Sequence, residues 1–292
     1  MTQHHDTNQQ ERQTPVVAGS AAASHPKNRP VLIVIPGAWH QPGNYTLLAE
    51  TLRQQGYKVE VAALSTMGEP DAIREKTHHD DVEIVRALVG PHLAAGREVV
   101  LVGHSYGGLV ATDVAAGSTV EERRAVITGP DELQGGGVKA VVYIASPAVV
   151  EKGISLTTGM EKMGMGEPPA NEGKVFLESG VAKTTDDCWK YLYGPADEVL
   201  SQKAFAMTQR HHSLASFLSE SAAGARDLHA RLAYVVTAAD MFTVPPAVQH
   251  RIADGMGPRC EKHVFEGAGH APWMQPELLP RLLEVITGVA ED

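Results

Sequence analysis

Residues 98–116 read Glu98-Val99-Val100-Leu101-Val102-Gly103-His104-Ser105-Tyr106-Gly107-Gly108-Leu109-Val110-Ala111-Thr112-Asp113-Val114-Ala115-Ala116, and the order of residue types in this stretch decides the fold. The run from Glu98 to Val102 has the length and aliphatic character of a buried strand. Residues 108–116 are small and apolar and predict a helix. Between them lies Gly103-His104-Ser105-Tyr106-Gly107. A serine on so sharp a strand-to-helix turn is forced into a strained backbone that lifts its hydroxyl above the sheet. Glycines two residues before and two after it remove the Cβ atoms that would clash there. The G-x-S-x-G pattern in this context predicts a nucleophile elbow at Ser105.

Short β-rich runs alternate with helical patterns on both sides of the elbow. Upstream, Val31–Ile35 and Lys58–Leu64 read as strands. Residues 45–55 read as a helix with Leu47, Leu48 and Leu52 on one face, and residues 81–95 as a helix opened by acidic side chains. Downstream come the strand at 138–145, the strand at 232–238, a helix opened by Pro245-Pro246, the strand at 261–265 and a last helix from Pro276 to about Gly288. Strands that are apolar on both faces and alternate with helices predict an α/β fold with a mostly parallel, doubly wound sheet.

The alternation stops between residues 149 and 226, where Gly and Pro clusters, Met160, Met163 and Met165, and a helical stretch from Asp186 to about Glu220 follow one another. The expected organisation is therefore a flexible tail (1–29), a first core part (30–148), an inserted and mainly helical cap (149–226), and a second core part (227–292). The 117–137 connector is long for a helix-to-strand link and predicts a surface excursion. Length fits one large domain. The net charge of −10 argues against nucleic acid or an anionic membrane as partner. No signal peptide or membrane-spanning run is read, so the expectation is a cytoplasmic protein with a small-molecule substrate, and a homodimer is one possible assembly. Cys188 and Cys260 lack metal-ligand spacing and read as two buried thiols.

A serine hydroxyl needs a base, and the base needs an orienting group. Of the 14 histidines, His270 lies in a small-residue loop straight after the last strand, where it can reach the elbow across the sheet edge. His263, His250 and His229 fall within a strand or helices and read as structural or solvated. Asp240 follows the strand at 232–238 and reads as the acid, a place better than those of Glu266, Asp227 or Asp254; capping the helix that follows is the lesser alternative. The resulting order is Ser105, Asp240, His270. Donors for an oxyanion are expected from the backbone amides of Ala38, in Pro36-Gly37-Ala38-Trp39-His40, and of Tyr106. His104 reads as a packing residue. Adjacent His78 and His79, with Asp80 and Asp81, read as a hydrated helix start, their side chains pointing apart. Only one of His211 and His212, read as helical, can face the cap interior. Met160, Met163, Met165, Phe176, Trp189, Tyr191 and Phe205 read as cap core or as pocket lining.

With these residues in place the chain resembles the α/β-hydrolase fold proteins over residues 30–290. Within them it is similar to the group of plant hydroxynitrile lyases and small-molecule methyl esterases with their bacterial relatives. Gly37-Ala38-Trp39-His40 matches that group's first-strand motif, with Pro36 standing where the group has His. Cys188-Trp189-Lys190-Tyr191-Leu192-Tyr193 and Ser213-Leu214-Ala215-Ser216-Phe217 resemble the end of its cap. The resemblance and the triad imply a serine hydrolase of small to medium, largely apolar esters or lactones, with no cofactor and no metal. Trp39, His40, Met163 and Trp189 are the candidate substrate contacts. A lyase or cofactor-free dioxygenase reusing the serine and histidine, or a receptor that keeps the triad, are the alternatives. Dehalogenases and epoxide hydrolases of this fold need Asp where Ser105 stands. The plant lyases carry a lysine after the catalytic histidine and a threonine in the first-strand loop; here those positions are Ala271 and Gly37.

Overall fold

The computed structural model describes residues 29–126, 136–165, 175–240 and 243–291. In chain order its elements are β1 (Val31–Ile35), α1 (Thr46–Gln54), β2 (Val59–Val61), α2 (Pro70–Ile73), α3 (His78–Ala94), β3 (Glu98–His104), α4 (Gly107–Ala115), α5 (Val120–Val126) and β4 (Gly137–Ile144). Then follow α6 (Leu156–Lys162), β5 (Val175–Glu178), β6 (Val181–Thr184), α7 (Trp189–Leu192), α8 (Glu198–Ala206), β7 (His211–Ser213) and α9 (Ala215–Leu218). The last four are β8 (Arg231–Thr237), α10 (Pro246–Gly255), β9 (Cys260–Phe265) and α11 (Leu279–Glu291).

Six strands form one parallel sheet in the order β2-β1-β3-β4-β8-β9. Side chains alternate along each strand between two cores. Val31, Ile33, Ile35, Val99 and Leu101 pack with Val82, Val85 and Val89 of α3, Leu109 and Val110 of α4, and Val248 and Ile252 of α10. Leu32, Val34, Val100 and Val102 pack with Leu48 and Leu52 of α1 and Leu282 and Ile286 of α11 on the other face. Burial on both faces is why these strands are aliphatic throughout. The chain leaves β1 toward β2 and returns at β3 on β1's other side. That reversal opens a crevice at the carboxyl ends of β1 and β3, the place where open α/β sheets hold their sites.

Several boundaries and faces differ from expectation. Leu47 is half-exposed while Leu48 and Leu52 are buried, so the buried face of α1 is narrower than the three-leucine reading. Helix α3 starts at His78, capped by Thr77 with Asp80 in a reciprocal box. His78 and Asp81 are buried, not hydrated. Cys188 is buried but Cys260 is only partly so. The 117–137 connector contains α5, and residues 127–135 lie outside the described residues, as does most of the 1–29 tail.

The stretch from Asp186 to Glu220 is not one helix. Gly194-Pro195 separates α7 from α8, since Pro lacks the amide that a continuing helix needs. His211–Ser213 is a strand, pairing antiparallel with β6, which pairs with β5. A three-stranded sheet therefore joins the helices between β4 and β8. Among the described residues no helix is long and apolar enough to cross a membrane.

Candidate active site

Ser105 follows β3 at φ +50°, a conformation that L residues adopt only when their surroundings force it. The forcing contacts are visible on both sides. The Ser105 amide donates to the Ile144 carbonyl at 2.9 Å, and the Ser146 hydroxyl donates to the Ser105 carbonyl at 2.8 Å. A methyl on Gly103 would lie 2.7 Å from Gly108 Cα, and one on Gly107 would overlap the Ile35 carbonyl. The two glycines thus let the start of α4 lie on the ends of β1 and β3.

The loop after β1 lies directly on the elbow. A methyl on Gly37 would stand 2.8 Å from His104 Nδ1 and 2.9 Å from Ser105 Cβ. The turn is closed by the His40 amide donating to the Gly37 carbonyl at 3.1 Å, with Trp39 at φ +65°. The amides of Ala38 and Tyr106 donate to no group among the described residues. Both stand beside Ser105, the second at the N-terminal end of α4, where the helix dipole favours negative charge.

His270 and Asp240 arrive on the loops after β9 and β8. His270 Nδ1 is 2.7 Å from Asp240 Oδ2, and both side chains are buried. The carboxylate accepts, so the proton is on Nδ1 and Nε2 is left as the basic nitrogen. Asp240 Oδ1 accepts the Thr243 amide at 3.0 Å, which closes a turn; the cap of α10 is Pro245 instead. The Ala239 amide donates to the Ala268 carbonyl at 2.8 Å and ties the two loops. Gln275 grips the histidine loop at the Gly269 amide (2.9 Å) and the Gly267 carbonyl (3.0 Å).

A directed chain of buried hydrogen bonds links the two sides of the site. The Gly37 amide donates to the Tyr45 hydroxyl at 2.8 Å, which donates to His104 Nδ1 at 2.7 Å. His104 Nε2 then donates to the His270 carbonyl at 3.0 Å. Each direction is fixed by its ends, an amide that can only donate and a carbonyl that can only accept. Trp273 stacks on Tyr45 at 4.9 Å and meets the His104 ring edge-on at 4.7 Å. Burial holds the His104 pKa well below its usual value, so the ring stays neutral. It joins the amide loop to the histidine loop, a role beyond packing.

Asp81 supports the same site from α3. Its buried carboxylate accepts from the Ser65 amide (2.6 Å), the Thr66 hydroxyl (2.6 Å) and the Tyr106 hydroxyl (2.8 Å). Burial nevertheless raises its pKa. Tyr106 is thus anchored through its side chain while its amide stays free. Tyr45, His104 and Asp81 are the supporting residues that sequence reasoning missed. The one local signal was His104's place beside Ser105.

Of the candidate substrate contacts, Trp39 and His40 border the site. The Trp39 indole donates to the Ala182 carbonyl at 2.9 Å, and its ring meets Phe217. His40 Nδ1 donates to the Ala38 carbonyl at 2.8 Å, and burial lowers its pKa to about 4. Met163 lies elsewhere: it ends α6, and its methyl is placed to meet Gly255 at the far end of α10. Trp189 opens α7 and packs with the core cluster that holds Leu192, Tyr193 and Phe205. Met160 and Phe205 are buried, and Phe176 is half-exposed on β5.

The His78 and His79 rings do not point apart; their centroids are 4.0 Å from each other. With Asp113 they offer ligand atoms all within 4.8 Å of one another. The buried two, His78 and Asp113, already have partners. His78 bonds Ser219 (2.6 Å) and Asp113 (3.0 Å), and Asp113 accepts the Ala222 (2.9 Å) and Ala223 (3.0 Å) amides. The cluster is a tie between α3, α4 and the segment leading to β8.

A strained serine after β3, a buried His–Asp pair and two unspent amides define an α/β-hydrolase architecture, and the chain belongs to the alpha/beta hydrolase family, whose model matches residues 32–280. It is 28% identical over 270 residues to the alpha/beta hydrolase nvfD of Aspergillus novofumigatus, covering 90% of this chain and 98% of that protein. Among solved structures it resembles a pyrethroid hydrolase from Sphingobium faniae, with TM-score 0.68, 18% identity, and 90% and 97% of the two chains covered. Polyneuridine aldehyde esterase gives TM-score 0.68 at 16% identity, with 89% and 100% covered. At these identities the two structures speak for the fold.

Proposed function

We propose that this hydrolase-family chain cleaves small to medium, largely apolar carboxylic esters or lactones through an acyl-enzyme on Ser105. The observation that carries the reading is the 2.7 Å bond from buried His270 Nδ1 to Asp240, on a loop held to the residue preceding Ser105. Ser105 Oγ attacks the ester carbonyl while His270 Nε2 takes its proton. The amides of Ala38 and Tyr106 receive the charge that builds on the carbonyl oxygen, and Asp240 stabilises the imidazolium. As the tetrahedral adduct collapses, the imidazolium proton passes to the departing alkoxide. Water, deprotonated by the same nitrogen, then releases the acid and restores the serine. The names borne by the relatives, hydrolase and esterase, agree with this class.

Hydrolysis of p-nitrophenyl esters of increasing acyl length tests the reading. Ser105→Ala should lower kcat by about 10⁶-fold in a folded protein, the scale seen for serine triads. A fluorophosphonate probe should label Ser105 in the native chain. Activity of Ser105→Ala within tenfold of the unaltered protein would overturn the acyl-enzyme.

A further inference from the structure

His212 is fully buried on β7, and its imidazole is enclosed by side chains from both amide-bearing segments. It stacks on Phe217 at 4.6 Å, meets the edge of the Tyr106 ring at 4.8 Å and lies 5.9 Å from the Trp39 ring. Tyr106 carries one of the two unspent amides, and Trp39 directly follows Ala38, which carries the other.

The tautomer of His212 follows from its one partner. Its Nε2 is 2.9 Å from the Ser216 hydroxyl, and that hydroxyl gives its single proton to the Ser213 carbonyl at 2.8 Å. Ser216 must therefore accept from Nε2, which leaves Nδ1 as a bare acceptor. Burial lowers the His212 pKa to about 3, so the ring is neutral near pH 7. Nδ1 has no partner among the described residues. The two rings around it that carry a proton have already spent it. The Trp39 indole donates to Ala182, and the Tyr106 hydroxyl donates to Asp81. Buried acceptors are almost always paired, so this one calls for a donor that the chain does not supply.

We infer that His212 Nδ1 receives a hydroxyl on the acyl part of the substrate, making the chain selective for hydroxyl-bearing esters or lactones. The acyl part is assigned because the amides that hold the reacting carbonyl sit on the same two segments as the rings around His212. The inference rests on the esterase reading and deepens it. A site built to pair with a substrate hydroxyl rejects the analogue that lacks one, because the site's own acceptor is then left bare.

Two matched pairs test it: methyl mandelate against methyl phenylacetate, and methyl 3-hydroxy-3-phenylpropanoate against methyl 3-phenylpropanoate. The unaltered protein should favour the hydroxylated member of at least one pair by about tenfold or more in kcat/KM. His212→Phe should bring that ratio close to one, and His212→Gln, which offers an acceptor oxygen, should retain part of it. A second readout is independent of turnover. In Ser105→Ala protein labelled with ¹⁵N-histidine, the hydroxylated ester of the favoured pair should move the His212 Nδ1 resonance upfield, and its plain partner should not. Ester hydrolysis with equal ratios in the unaltered and His212→Phe proteins, or an Nδ1 resonance that neither hydroxy ester moves, would overturn the inference alone. Absence of Ser105-dependent hydrolysis of every ester would overturn the esterase reading, and the resonance would still decide the role of His212.

Discussion

Tyr45→Phe removes one oxygen from the interior and keeps the ring that stacks on Trp273. That oxygen accepts the Gly37 amide and donates to His104, so its loss leaves two buried polar groups unpaired. At about 1–3 kcal/mol for each orphaned group, the strain is on the order of 2–6 kcal/mol before relaxation. The cheapest relief is rotation of the Gly37 peptide toward another acceptor, and the neighbouring Ala38 amide turns with it. Loss of one oxyanion donor costs about 3–4 kcal/mol, or 10²–10³ in kcat. A partial turn should therefore lower kcat by about 10–100-fold and change KM by less than about threefold. Steady-state kinetics on p-nitrophenyl butyrate, run beside thermal unfolding, separates the two effects. A folded Tyr45→Phe protein with kcat within twofold of the unaltered chain would refute the claim that this hydroxyl positions the amide loop.

Asp240→Asn should cost about 10⁴-fold in kcat by favouring the wrong imidazole tautomer, whereas Glu266→Gln should cost little; the reverse order in steady-state assays would reassign the acid. Burial lowers the pKa of His40 to about 4, of His212 to about 3, and of His104 in the same direction. The unfolded chain therefore binds more protons as pH falls below about 6.5, and stability should drop by up to roughly 1.4 kcal/mol per pH unit for each ring. Urea midpoints at pH 7.5, 6.5 and 5.5 should decline in that order, and a flat profile would contradict neutral burial of these rings. The chain should release no cyanide from mandelonitrile, because neither Ala271 nor Gly37 can stabilise a departing anion in a buried site. Ser105-dependent cyanide release in a picrate or pyridine–barbiturate assay would count against an ester hydrolase.

The core was legible because its strands are buried on both faces, which leaves runs such as Val31–Ile35 and Val99–Val102 no polar alternative. Ser105 was legible from the glycines that its crowded turn demands. His270 and Asp240 could be placed because each follows a strand whose end lies on the site's edge of the sheet. What remained hidden depends on contacts distant in sequence. Tyr45 and His104 are 59 residues apart, and His104 reaches a carbonyl 166 residues away. Asp81 has the sequence context of a solvated helix start, yet the Ser65–Thr66 turn folds over it and supplies donors. His211 and His212 look helical in isolation; they are a strand because β6 lies alongside, and pairing of that kind overrides local preference.

The segment between β4 and β8 is fastened to the core at several places. At its return, Asp113 accepts two successive amides from Ala222 and Ala223 while His78 bonds Ser219, so this foot is fixed through buried groups. On β7 the Ser213 amide donates to the Thr66 carbonyl at 2.7 Å and its hydroxyl to the Lys76 carbonyl at 2.6 Å, and other ties go to the loop and turn after β1. The Gln209 amide donates to the Trp39 carbonyl at 2.8 Å, and the Trp39 indole donates to Ala182. Asn44 donates to the Ala204 carbonyl at 2.7 Å and to the Tyr193 hydroxyl at 3.1 Å. Trp39 adjoins the Ala38 amide, and Asn44 adjoins Tyr45, which holds the Gly37 amide. The segment and the amide loop are thus joined by direct hydrogen bonds. Displacement of β6, α8 or the 207–210 turn would therefore strain the peptide beside Ala38. If the proposed esterase reading holds, Asn44→Ala, which removes both ties to α8 and Tyr193, should lower kcat on p-nitrophenyl acetate as well as alter chain-length preference; an unchanged kcat would count against this coupling.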